Sequence, residues 1–232
     1  MNTPPPTRHP HGRPPPSFEI DRALALVREA VQPYPKAAMF ELRDDGYATV
    51  FEQVIACLLS VRTYDEVSIE AARRLFAIAR TPADLAAMPA EEIDVLIEDV
   101  TYHERKAPQI VAIARRTLAL GGELPCDDAV LQSLPGIGPK CAHLALGISC
   151  GMPVISVDTH VHRVTNRWGY LQARTPEQTM TALELTLPKH DWIAINELLV
   201  PFGKHICLGR KPRCSVCPVR DMCARVGVTT SQ

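Results

Sequence analysis

The sequence predicts an all-α protein. Three observations carry this. Apolar residues recur at roughly helical intervals, as in Ile20, Ala23, Leu24, Leu26, Val27 and Val31. Every periodic segment has that helical spacing, and none shows a sustained period of two. Prolines and paired glycines close the runs, at Pro33, Pro35 and Gly121-Gly122.

In chain order, residues 1–17 are rich in proline and poor in apolar side chains, which predicts a disordered arm. A first helix runs from Phe18 to Val31, and Phe40 to Ala48 reads as a polar link. Phe51 to Leu59 is almost wholly apolar and predicts a helix central to the core, with Cys57 as a buried thiol. Thr63 and Glu66 match a capping box, so the next helix should start there and reach about Ala79. Residues 82–99 form an acidic amphipathic segment whose charged face suits solvent and not a polyanion. A helix from Lys106 to Leu120 packs through Ile110, Val111, Ala114 and Leu118. Cys126 and Asp128 then lead into a glycine turn. Residues 176–187 and 191–202 read as two further helices, with Lys189 and His190 between them.

Composition narrows the function. The 232 residues suffice for one large or two modest domains, and 46% hydrophobic residues supply a core. A formal net charge of −1 excludes a globally basic binder, so any nucleic-acid surface must be a local patch. No apolar run is long enough to span a membrane. The N-terminus lacks a signal peptide's apolar core, so a cytoplasmic, nucleoid-associated location is expected. In that compartment clustered cysteines suggest metal and not disulfides, and the single Cys141 and Cys150 are expected as buried thiols.

The chemistry concentrates between Leu134 and Thr159. Pro135-Gly136-Ile137-Gly138 interrupts a helical pattern, and two glycines in three residues permit a sharp turn. Pro139 suits the first position of the following helix. A turn feeding a helix start leaves N–H groups unpaired, which suits a phosphate, although a plain helix-to-helix turn explains the same residues. Lys140 falls in that first turn, where the macrodipole disfavours a cation. The expectation is a neutral amine, able to form a Schiff base; the alternative is a solvated lysine beside DNA. After the extended Val154, Ile155 and Val157, Asp158 caps the next helix. Beside Lys140 it is a candidate to stabilise a positive sugar; as a cap alone it is ordinary. On that helix Arg163 and Arg167 share a face and are placed to meet phosphates. His160, one turn from the cap, is either its orienter or a structural histidine.

Cys207, Cys214, Cys217 and Cys223 form a compact C-x6-C-x2-C-x5-C run. Four thiolates so close imply a metal. A single C-x2-C pair disfavours structural zinc without excluding it. Arg210, Lys211 and Arg213 lie between the ligands, giving a metal-fixed basic patch.

LPGIGPK followed by VDTH resembles the helix-hairpin-helix DNA glycosylases of the endonuclease III family, from about Phe18 to Cys223. The resemblance implies an active-site cleft between two helical lobes. One is a six-helix barrel lobe at residues 39–152. The other joins 18–38 to 153–225 and holds the iron-sulfur cluster, with a tail at 226–232. It implies a bifunctional glycosylase/AP lyase of base excision repair acting on oxidised pyrimidines in damaged double-stranded DNA, as a monomer. Lys140 and Asp158 take the catalytic places. Cys207, Cys214, Cys217 and Cys223 take those of the ligands to a [4Fe-4S] cluster. Gly136, Ile137, Gly138, Arg163, Arg210, Lys211 and Arg213 are expected on DNA. Arg62 and Tyr102 stand where the family inserts a glutamine and a bulky apolar residue into the duplex; a surface charge and a core tyrosine are the alternatives. Pro139 replaces a frequently basic residue. These departures keep two other readings open: an AP lyase with weak or shifted glycosylase activity, and a non-catalytic damage-binding or redox module.

Overall fold

The computed structural model of the chain describes residues 18–232, so the proline-rich arm lies outside the described residues. Among these it is all-α, with twelve α-helices, two short 3-10 turns and no strand.

One core is built on α3 (Val50–Ser60), which begins at a capping box between Thr49 and Glu52. Phe51 to Leu59 of α3 are all buried. A helix apolar all round must be covered on every side. Here α4 (Asp65–Ile78), α7 (His103–Ala119) and α9 (Pro139–Cys150) cover it, with α2 (Ala38–Asp44) against its flank. The short α5 (Pro82–Ala87) and α6 (Ala90–Leu96) pack on α7, and α8 (Asp128–Gln132) on α9. Each aliphatic or aromatic side chain fully withdrawn from water contributes about 1.5–3 kcal/mol before entropy is counted.

A second core joins the chain's start to its later part. Here α1 (Ile20–Val31) packs on α12 (Ala194–His205), and α10 (Thr159–Trp168) on α12 and α11 (Pro176–Thr186). Phe18 stacks on Trp168 at 5.4 Å between ring centres. Polar ties link the two cores. The Lys204 ammonium meets Asp65 at 3.3 Å and Glu66 at 2.7 Å, and Arg43 meets Glu197 at 3.5 Å.

Four details differ from the sequence-based expectations. The polar link holds α2, whose Met39, Phe40 and Leu42 are buried. The acidic segment is two helices, because Pro89 begins the second. Thr63 and Glu66 form no capping box: Tyr64 precedes α4 without a side-chain cap. Other partners compete for both side chains, Lys204 for Glu66 and the Thr101 amide for the Thr63 hydroxyl. Finally, Cys126 and Cys150 are not thiols but a disulfide, their Cα atoms 6.1 Å apart and within the ordinary span of such a bond. The expectation rested on compartment and on the apolar company of Cys150, and took no account of the fold bringing these two ends together.

Candidate active site and iron-sulfur centre

The glycine turn links α8 to α9. Gly136 has φ +81°, and a Cβ there would stand 2.9 Å from the Leu58 side chain. The positive φ is what calls for glycine here; the close side-chain ends of Leu58 and Gln109 add crowding. Gly138 caps α9 with no side-chain hydrogen bond, and a Cβ on it would meet nothing within 4 Å. The start of α9 thus opens outward, with first-turn amides turned toward whatever approaches. Ile137 does not share that exposure. Its side chain is 5% exposed and its amide closes the turn onto the Leu134 carbonyl at 3.2 Å. The expected DNA contact by Ile137 is corrected accordingly: it builds the turn, and its neighbours present it.

Lys140 follows directly in the first turn of α9, half-buried. Its backbone carbonyl accepts a 3.1 Å hydrogen bond from the Ser156 hydroxyl, which lays the 155–157 segment alongside. That segment delivers Asp158, whose Oδ1 accepts from the amides of His160 and Val161, both at 2.9 Å. Among the described residues no protein donor meets its Oδ2. The electrostatics correct the expectation of a neutral amine. Burial pulls Lys140 down, but Cys57, Cys141, Asp158 and Asp65 together pull it up further, leaving it above the ordinary lysine range. Cys57 and Cys141 are buried, as expected of core thiols, and they face each other. Their mutual hydrogen bond holds Cys57 below the ordinary thiol range and pushes Cys141 above it.

His160 is held neutral mainly by burial, with Arg163 adding to it and Asp158 opposing. Its Nδ1 faces Arg163 Nη2 at 3.1 Å. A guanidinium only donates, so this Nδ1 accepts and the proton sits on Nε2. Gly203 makes the room: a Cβ there would lie 2.5 Å from that ring nitrogen.

Arg163 is not free for a phosphate. It donates to the carbonyls of Gly203 at 2.9 Å and of Cys207 at 3.1 Å and 3.3 Å. Its neighbour Arg167 donates to the carbonyls of Leu208 and Gly209 and lies 3.6 Å from the Cys207 sulfur. The shared face expected to meet DNA instead laces the cysteine loop to α10. Sequence reasoning missed this because the acceptors are main-chain atoms some 40 residues away. The exposed cations are those of the loop itself: Arg210, Lys211 and Arg213 are exposed and form no ion pair among the described residues.

Cys207, Cys214, Cys217 and Cys223 converge on one small hollow, also lined by Arg167, Trp168 and Arg213. Burial first, with the other three sulfurs adding to it, pushes Cys217 up to about 11. Cys223 is raised for the same reasons. Such crowding is costly for thiolates alone and suited to a cationic core. Arg167 and the Arg225 amide, the latter at 3.4 Å from the Cys223 sulfur, supply the N–H···S contacts that temper an iron-sulfur centre. The donor set fits a four-thiolate cluster.

On the rim of the first core, Arg62 and Tyr102 are both exposed and both left-handed, with φ of +57° and +61°. Their side chains meet at 3.5 Å between Nη1 and the phenolic oxygen. Tyr102 is thus not a core residue.

Residues 55–189 match the family described as HhH-GPD superfamily base excision DNA repair protein. Residues 207–223 match the iron-sulfur binding domain of endonuclease III. The chain belongs to the endonuclease III family. It is 37% identical to endonuclease III of Thermotoga maritima over 199 residues, covering 85% of this chain and 90% of that protein. It is 34% identical to endonuclease III of Escherichia coli (strain K12), covering 77% and 85%. Among solved structures it is similar to a trapped endonuclease III–DNA covalent intermediate, an estranged-adenine complex. There the TM-score is 0.76 and the identity 28%, over 89% of this chain and 94% of the other. This endonuclease III family member is therefore a DNA glycosylase of base excision repair that binds DNA and carries a [4Fe-4S] cluster. When bound, the cluster supplies a rigid charged clamp for the C-terminal loop.

Proposed function

We propose that this endonuclease III family member is a bifunctional glycosylase/AP lyase. Its substrates are oxidised pyrimidines and abasic sites in duplex DNA, and it works as a monomer. One observation carries this reading. Lys140 stands at the open start of α9, just past the glycine turn, within the field of Asp158. That a structurally similar endonuclease III has been trapped covalently on DNA supports a nucleophile in this place.

The duplex backbone is held by the α9 amides near Gly136 and Gly138 and by Arg210, Lys211 and Arg213. The damaged nucleotide turns out of the stack, at a cost of a few kcal/mol. Arg62 and Tyr102 enter the gap: an aromatic ring stacks on any base, and a guanidinium both stacks and donates. The free Lys140 amine then bonds to the anomeric carbon as that carbon's bond to the base nitrogen breaks. Asp158 faces the positive charge developing on the sugar. The base leaves with the bonding electron pair and is protonated. Ring opening leaves a Schiff base on Lys140. Loss of a proton from the neighbouring sugar carbon expels the 3′ phosphate, and water then releases the lysine.

Borohydride trapping on thymine-glycol and abasic duplexes tests this. The wild type should give a covalent adduct and Lys140→Gln none. An adduct persisting in Lys140→Gln would overturn the assignment. Free thymine glycol released without strand nicking would remove the lyase half.

A further inference from the structure

Arg62 and Tyr102 belong to different loops, yet one side chain joins those loops. Lys106 lies in the first turns of α7 and is 4% exposed, although lysine is almost never buried without partners. Its ammonium donates to the Leu59 carbonyl at 2.9 Å, the Val61 carbonyl at 2.8 Å and the Thr63 hydroxyl oxygen at 3.4 Å. Three protons meet three acceptors, so the charge is fully used within the protein. Two acceptors lie at the C-terminal end of α3, where the macrodipole is negative and a cation is favoured. Thr63 is shared, since its hydroxyl oxygen also accepts from the Thr101 amide at 3.2 Å. The residues flanking Arg62 and the residue preceding Tyr102 are thereby bound into one unit. Both tips carry a left-handed side-chain-bearing residue, a conformation that costs about 1–3 kcal/mol each and persists only where surroundings impose it. Burial holds the Lys106 amine down to about 8, with Cys141 and Cys57 opposing it.

We propose that Lys106 is a positioning residue that fixes the spacing of Arg62 and Tyr102, so that both enter the duplex together as a single wedge. This rests on the glycosylase reading above. It goes beyond that reading in assigning the wedge's geometry to a buried side chain that touches no DNA.

The test uses the full-length, cluster-loaded protein and Lys106→Met, which keeps the stem and removes the three donors. Thermal unfolding and the visible absorbance of the cluster check the fold. Two readouts separate positioning from mere support. One is borohydride trapping on single-stranded against duplex abasic DNA, since a single strand leaves no gap to fill. The other is fluorescence of 2-aminopurine placed opposite the abasic site, which reports insertion. Lys106→Met should trap single-stranded DNA within about twofold of wild type. It should trap duplex DNA slower by on the order of ten- to a hundredfold and lose the 2-aminopurine change. Equal losses on both substrates, or none on either, would overturn the proposal. If Lys106→Met does not fold, Thr63→Val decides. It removes the shared oxygen only and should show the same duplex-selective defect in milder form; an unchanged duplex rate would overturn the proposal. If the wild type traps neither substrate, the lyase reading fails separately, and the 2-aminopurine change, lost or kept in the variant, still decides the role of Lys106.

Discussion

The Cys126–Cys150 bridge closes a loop with a sequence separation of 24, enclosing α8, the glycine turn and the whole of α9. Replacing both cysteines by serine opens it. In the chain-entropy account a loop of this length contributes about 12 cal/mol/K, or roughly 3.5 kcal/mol at 25 °C, by restricting the unfolded chain. For a chain of this size each kcal/mol moves Tm by about 2–4 °C, so the loss should be roughly 7–14 °C. The folded state should otherwise persist. Leu131, Leu134, Leu144 and Leu146 are buried in the first core, and His143 stays within 3.5 Å of Asp128. Calorimetry of wild type and Cys126→Ser/Cys150→Ser, both cluster-loaded, measures the shift. Differential alkylation with mass mapping verifies the bridge in the wild type. A mapped bridge with Tm values within about 2 °C would refute the entropic reasoning. Two alkylatable thiols in native protein would refute the bridge itself.

Three other outcomes follow from the same geometry. Arg163→Met strands the carbonyls of Gly203 and Cys207 and should cost about 2–3 kcal/mol, read as faster loss of cluster absorbance, with the salt dependence of DNA binding unchanged. Replacing Arg210, Lys211 and Arg213 by glutamine should instead flatten the plot of log affinity against log salt by about 0.9 for each phosphate no longer neutralised, with Tm nearly unchanged. Cys57→Ala with Cys141→Ala removes two groups that raise Lys140. A lower amine pKa leaves more free amine at any pH below it, so the pH profile of trapping should move to lower pH; an unmoved profile would show that the thiols do not hold the proton on.

What the sequence made legible was local. The C-x6-C-x2-C-x5-C spacing, the PGIGP turn and the Asp158 cap each involve residues within a few positions of one another, where chain geometry leaves little choice. What it hid was set by tertiary competition. Thr63 with Glu66 has the pattern of a capping box, but a buried lysine, an amide and Lys204 claim both side chains. Arg163 with Arg167 has the pattern of a phosphate-binding face, but main-chain oxygens of the cysteine loop reach it first. Lys106 reads in the sequence only as the start of a helix, because nothing there distinguishes a lysine that caps a distant helix from one in solvent. Left-handed Arg62 and Tyr102 carry no glycine or asparagine to announce them.

The same competition bears on the proton of Lys140. The start of α9 and burial both favour releasing it. Two thiols and two carboxylates favour keeping it, and in the free protein they prevail. In the proposed reaction a nucleotide entering the site displaces water, and a charged amine facing a charged carboxylate is then penalised on both sides. Handing the proton to Asp158 removes both charges at once. The oxygen for it is Oδ2, because Oδ1 is committed to the His160 and Val161 amides. Once the amine bonds to sugar carbon, positive charge reappears opposite Asp158, and the site again favours the carboxylate. The proton then goes to the departing base, which must gain one to leave as a neutral molecule. In the proposed reaction the high amine pKa of the resting site is therefore compatible with nucleophilic attack, because the substrate supplies both the desolvation that moves the proton and the base that removes it.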